Sequence, residues 1–157
     1  MAKRPGSALR AVLRVPVLLY RRRLGWLLGH RFLLLVHVGR RSGARYETVL
    51  EVVSYERAAP AAIVMSGWGR NADWYRNVQA AESSEVLIGR QRWVATCEVL
   101  DEEEALEVFA QYEHRNRWIA PIVHRVLSSL VGWTYDGSTE SRRRLVGQLP
   151  LVRLRSS

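Results

Sequence analysis

Phe32-Leu33-Leu34-Leu35-Val36-His37-Val38, then Gly39-Arg40-Arg41-Ser42-Gly43, then Thr48-Val49-Leu50-Glu51-Val52-Val53-Ser54-Tyr55 decide the fold. The first block is a near-continuous apolar run with β-branched members, the pattern of a buried strand. The second sets basic residues between two glycines and predicts a turn. The third predicts a second strand over 48–55. A connection this short joins antiparallel neighbours, because a parallel pair needs a crossover of about a dozen residues or more.

Downstream, Ala61 to Ser66 predicts a third strand that ends at Gly67-Trp68-Gly69. Val86–Ile88 and Gln91–Leu100 predict a hairpin around Gly89-Arg90, and Leu149–Leu154 predicts a closing strand. Helices punctuate this pattern. Asn71 is placed to cap a short helix carrying Asp73, Trp74, Tyr75, Asn77 and Val78. Asp101, with Glu104 three residues on, predicts a capped helix to about His114. A helical stretch follows over Trp118–Val131, and Ser138 caps a basic helix through Gly147. Upstream, residues 1–7 read as a disordered tail. Leu9, Val12, Leu13, Val17, Tyr20 and Leu24 recur at helical spacing, with Pro16 as a kink. The expected architecture is therefore mainly β with peripheral helices (α+β): an antiparallel barrel, not a parallel dinucleotide fold. It divides into a basic amphipathic helical segment over 1–31 and a barrel domain over 32–157.

Composition narrows the partners. Hydrophobic residues make up 48% of the 157, which is a globular proportion and excludes a disordered chain. The net charge is +9, and Lys3 is the only lysine, so arginine carries the positive charge. Arginine recognises phosphate and carboxylate in a planar, bidentate way, so an anionic partner is expected. The single cysteine, Cys97, fits a reducing, cytoplasmic setting and reads as core filler. Arginines interrupt every apolar run before it reaches the roughly 20 residues of a membrane span. Arg21–Arg23 beside the N-terminal stripe still allow peripheral contact with an anionic membrane. No nucleic-acid module is recognisable, so nucleic acid is not an expected partner.

Two constellations carry chemistry. In Gly39–Gly43 the glycines would let successive backbone N–H groups face outward as an anion nest, with Arg40, Arg41 and Ser42 adding charge-assisted bonds. The plainer reading is a solvated basic turn. In Ser66-Gly67-Trp68-Gly69 followed by Asp73-Trp74-Tyr75-Arg76-Asn77, aromatics beside glycines could wall a flat ligand, and Asn77 lies one turn beyond Asp73. Here the plainer reading is that Trp74 or Tyr75 anchors the helix, since adjacent helical positions cannot both face a core squarely. His37, His114 and His124 have no metal-ligand spacing. Tyr112 and His114, near a helix end, could serve as proton donors, and with Trp118 they are the acceptor-side candidates; the plainer reading is ordinary surface or packing residues.

Taken together, Leu33–Gly43, Arg45–Val53, Ser66–Gly69, Asp73–Asn77 and the closing Leu149–Val152 resemble the deazaflavin (coenzyme F420)-dependent nitroreductase family. The resemblance implies a split β-barrel and an F420 cofactor, with FMN the weaker candidate. It implies a hydride transferred to a small electron-poor acceptor of quinone, nitro or enone type. It places the phosphate on Arg40, Arg41 and Ser42 and runs Tyr46, Glu47, Thr48, Val49 and Leu50 past the cofactor. It lines the ring with Met65, Ser66, Gly67 and Trp68, and holds ring or side chain with Trp74, Tyr75, Arg76 and Asn77. The alternative is a non-catalytic F420- or FMN-binding barrel, as a monomer or homodimer. The stretch from Trp68 to Asp73 and the loop from Trp133 to Gly137 depart from the better-known members, so the acceptor stays open.

Overall fold

The computed structural model describes Arg22 and residues 29–157. The expected disordered tail over 1–7 and the N-terminal helix lie outside those residues. The described chain folds as β1 (Phe32–Val38), β2 (Arg45–Glu56), β3 (Ala61–Met65), α1 (Asp73–Ala80), β4 (Ser84–Ile88), β5 (Gln91–Val99), α2 (Glu102–Arg115), α3 (Ala120–Val131), α4 (Thr139–Gln148) and β6 (Leu151–Ser156). The six strands close into a barrel in the order β1-β2-β3-β6-β5-β4, every pair antiparallel. The barrel with peripheral helices expected from the sequence is the fold observed.

Strand alternation sorts the core into two bodies. Leu33, Leu35, Leu50, Val52, Val64, Val86, Ile88, Val152 and Leu154 fill the barrel. On the outside, Val53, Ile63 and Leu151 pack against Ala105, Phe109, Leu127, Val131 and Leu145 of the helices. Val52 and Val53 therefore belong to different bodies, and the register of β2 against β3 shifts between Val52 and Ser54, with Val53 the extra residue.

Several boundaries move for identifiable reasons. β2 starts at Arg45 because Val38 pairs with Arg45, which confines the turn to residues 39–44. Asn71 does not cap α1. Gly69, with φ +66°, opens a short 3₁₀ turn over Gly69–Asn71, and Ala72 precedes α1 with no side-chain cap. Asp101 does cap α2, its Oδ1 accepting from Glu104 N at 2.9 Å. The stretch from Trp118 is split into a 3₁₀ turn over Arg117–Ile119 and α3, which ends on Gly132 at φ +80°. α4 persists to Gln148, Leu149 N bonding Leu145 O at 2.7 Å, so β6 starts at Leu151 rather than Leu149.

Candidate functional site

A cleft of about 420 Å³ opens where the β1–β2 turn meets α1. It is lined by His37, Gly39, Arg40, Arg41, Ser42, Tyr46, Glu47, Thr48, Asp73, Trp74 and Asn77. Two segments that are far apart in sequence, the basic turn and the Asp73–Asn77 helix start, thus share one wall.

The turn is held tightly. Gly39 N donates to Ala44 O and Gly43 N to Gly39 O, both at 2.8 Å, and Ala44 N donates to Ser42 Oγ at 3.2 Å. Arg40 N donates to Asn77 Oδ1 at 3.2 Å. The open anion nest expected from the sequence is therefore narrower, because four turn amides are already engaged. Among the described residues, the consecutive amides of Arg41 and Ser42 have no acceptor. Gly39 is required sterically. A Cβ there would stand 2.6 Å from Ser42 Oγ and 2.7 Å from Tyr46 Cε2.

Arg40 faces inward. Its guanidinium donates to Asn77 Oδ1 at 2.9 Å and to Asp73 Oδ1 at 3.4 Å, fastening the turn to α1. The one-turn spacing of Asp73 and Asn77 thus presents both to a single arginine. Arg45 pairs with Glu85 outside the cleft. Among the described residues Arg41 has neither ion pair nor hydrogen bond, which leaves its guanidinium for a ligand.

Asn77 and His37 are buried side by side. Because Asn77 Oδ1 accepts from Arg40, its Nδ2 donates to His37 Nδ1 at 3.1 Å. His37 Nδ1 is then unprotonated, and Nε2–H donates to Thr48 Oγ1 at 3.0 Å. Burial pushes the His37 pKa below its ordinary value, with Asp73 opposing. The Tyr46 ring stacks on the imidazole at 5.9 Å between centroids. Trp74 lines the same cleft, and its buried indole N–H has no partner among the described residues.

Of the expected cofactor residues, the cleft gathers Arg40, Arg41, Ser42, Tyr46, Glu47, Thr48, Trp74 and Asn77. It does not gather the others. Val49 packs with Leu34 and Val36, Leu50 fills the barrel, and Met65 packs toward the helices. Ser66 is buried with Oγ donating to Gly69 O at 2.6 Å, Gly67 lies against Leu130, and Trp68 and Arg76 are exposed. Trp74 and Tyr75 are both 5% exposed, contrary to the expectation that only one could anchor α1. Their rings meet edge to face at 6.0 Å, so one inserts beside the other. Of the lining residues, His37 lay outside both constellations read from the sequence, whereas Gly39 and Asp73 stood within them without an assigned cofactor contact. A histidine at the end of an inward-facing series Leu33, Leu35, His37 was the available signal.

The acceptor-side residues lie elsewhere. Tyr112 borders a second hollow of about 370 Å³ with His30, Arg31, Glu51, Tyr55, Arg115 and Asn116. Its hydroxyl donates to Glu51 Oε1 at 2.9 Å, and burial together with that carboxylate raises its pKa. It stays protonated at neutral pH and is a poor proton donor. His114 and Trp118 are exposed and line neither hollow.

A family model described as F420H(2)-dependent quinone reductase matches residues 12–120. No curated protein matches the chain. Among solved structures, the Atu2129 protein of Agrobacterium tumefaciens, of unknown function, is similar at TM-score 0.54 and 15% identity. The alignment covers 83% of this chain and 50% of that one, so the chain spans half its length. A pyridoxamine 5'-phosphate oxidase-like protein from Listeria innocua is similar at TM-score 0.50 and 12% identity, with 87% and 91% covered. A structure described as an F420-H2 dependent reductase (FDR-A) is similar at TM-score 0.46 and 16% identity, with 80% and 95% covered.

Proposed function

The chain belongs to the F420H(2)-dependent quinone reductase family, and on that premise we propose that it reduces a small electron-poor acceptor, a quinone first and a nitro or enone compound as alternatives. The observation that carries the reading is the cleft at the β1–β2 turn. It offers an unpaired Arg41, two consecutive free amides, and a glycine cradle that a Cβ would fill.

These groups suit the phosphate of F420. Arg41 would bind it by charge-assisted bonds, with the Arg41 and Ser42 amides and the Ser42 hydroxyl completing the contact. Arg40 would act mainly by holding the turn to α1. Thr48, Trp74 and Asn77 would line the cofactor further in, where the free indole N–H of Trp74 fits a carbonyl or hydroxyl acceptor. When bound and reduced, F420 supplies a hydride, and the protein supplies position and a sheltered surface.

β2 leads from this cleft to the second hollow. From Thr48 to Val52 is four residues, or about 13 Å at roughly 3.3 Å per residue. An elongated cofactor anchored at the turn would have its other end near Glu51 and Tyr112, which supports that hollow as the acceptor side. The test is titration with F420 and with FMN at low and high salt, followed by assay of F420H2 oxidation across quinone, nitro and enone acceptors. Salt-sensitive binding of F420, weaker binding of FMN and turnover with at least one acceptor are expected. Binding without turnover would favour a non-catalytic cofactor-binding barrel.

A further inference from the structure

We propose that the outer face of α3 is a docking surface for an anionic phospholipid bilayer. Trp118 is 76% exposed, Ile122 64% and Val126 47%, and the first two are the most exposed large apolar side chains among the described residues. They recur every fourth residue along the 3₁₀ turn and α3, which places them on one face. The opposite face is already satisfied, with Leu127 and Val131 buried in the helix-side core and Val123 and Leu130 packed against it. Among the described residues, the outward stripe is left out of the packed core.

Charge chooses the occupant. No acidic residue occurs between Glu113 and Asp136, whereas Arg115, Arg117 and Arg125 do. Arg125 is exposed and stands within the stripe, with no ion pair among the described residues. A second copy presenting the same face would oppose like charge. The charged residues of 1–28, Lys3, Arg4, Arg10, Arg14 and Arg21–Arg23, are likewise all basic, and the first acidic residue of the sequence is Glu47. An anionic bilayer complements the surface. Tryptophan favours the headgroup level, isoleucine and valine enter the acyl boundary, and arginines extend to the phosphates. The surface stands without the reductase reading. Its consequence, access to an apolar quinone dissolved in the membrane, rests on that reading.

The test is sedimentation of the full chain with phosphatidylglycerol/phosphatidylcholine vesicles and with phosphatidylcholine alone, at low and high salt. Binding is expected only to the anionic vesicles, and it should weaken with salt. Ile122→Ser/Val126→Ser should lower the partition coefficient at least tenfold, with melting temperature and elution volume unchanged. Trp118→Ser should also lower it, Trp118→Phe less so, and Arg117→Glu/Arg125→Glu should abolish it at low salt. Three results overturn the proposal. The first is no sedimentation of the wild type with anionic vesicles at low salt. The second is wild-type sedimentation of the Ile122/Val126 variant. The third is a drop in melting temperature or a smaller oligomer in that variant, which would mean the face is covered by this chain or a second copy. Reduction of a water-soluble quinone by F420H2 should be equal in wild type and the Ile122/Val126 variant. If neither reduces any acceptor, the reductase reading fails while the vesicle result stands.

Discussion

The buried amide of Asn77 is fixed from two sides: its Oδ1 takes two N–H groups of Arg40, and its Nδ2 donates to His37 Nδ1 at 3.1 Å. The arrangement works only with neutral His37. A proton on Nδ1 would face the Asn77 NH₂ group, and turning the amide to accept it would point that NH₂ at the Arg40 donors. The charged groups around the imidazole are Asp73 on α1, Glu47 on β2, and Arg40 and Arg41 in the turn.

Acid should therefore loosen the turn. Burial lowers the folded-state pKa of His37, so between its unfolded value of about 6.5 and that lower value the unfolded chain binds more protons. The His37 contribution is full above pH 6.5 and falls as pH drops toward the folded pKa. F420 affinity should decline over the same interval. His37→Asn keeps an acceptor for Asn77 without titrating and should flatten the decline, whereas His37→Leu should weaken binding at every pH. Isothermal titrations from pH 5.5 to 8 check this, and nitrogen NMR of wild-type His37 should show the Nε2–H tautomer. An Nδ1–H tautomer would sink the assignment.

Arg40 and Arg41 should separate. Arg41→Ala should lower F420 affinity about tenfold or more, since a charge-assisted contact contributes about 1.5–3 kcal/mol, and should leave the melting temperature alone. Arg40→Ala removes the tie to Asn77 and Asp73. Asp73 is largely exposed, so that ion pair adds little, and the loss should be about 1 kcal/mol of stability besides weaker binding. Paired titrations and urea melts distinguish the two.

Gly39→Ala should damage the site more than the fold. The new Cβ would push Ser42 and the half-exposed Tyr46 ring, both of which border the cleft. Overpacking of this kind costs about 1–3 kcal/mol. F420 affinity should fall by more than that of Gly43→Ala, where nothing lies within 4 Å but φ is +67°. Equal affinity in wild type and Gly39→Ala would return the turn to a solvated hairpin.

Tyr112→Phe should change cofactor affinity far less than Arg41→Ala, because Tyr112 lies outside the cleft that would hold the phosphate. It should lower stability by about 1.5–3 kcal/mol through loss of the bond to Glu51. Because the phenol keeps its proton across the neutral range, the variant should not alter the pH profile of acceptor reduction between pH 6 and 9. Stopped-flow oxidation of F420H2 over that range is the check.

Local chemistry determined much of this protein before any fold was known. Apolar runs with short glycine turns specify antiparallel strands, and Asp101 with Glu104 specifies a helix start, because these preferences act within a few residues. The Gly39–Gly43 turn and the Asp73–Asn77 start were legible for the same reason. What lay beyond sequence reading depends on contacts between distant segments. Arg40 was readable as a cation but not as a cation turned onto Asn77, 37 residues away. His37 could be read as lacking metal-ligand spacing and as ending an inward-facing series, but not as a partner of Thr48 and Asn77, which become its neighbours only when β1 pairs with β2 and α1 covers the barrel end. The family resemblance assigned the Met65–Trp68 segment to the cofactor ring, and a place near a helix end made Tyr112 an acceptor-side candidate. Barrel closure through β3–β6 and β5–β6 sends Met65 toward the helices and Tyr112 to a separate hollow on β2. Periodicity assigns a side chain to a face, but only the closed sheet decides which faces meet.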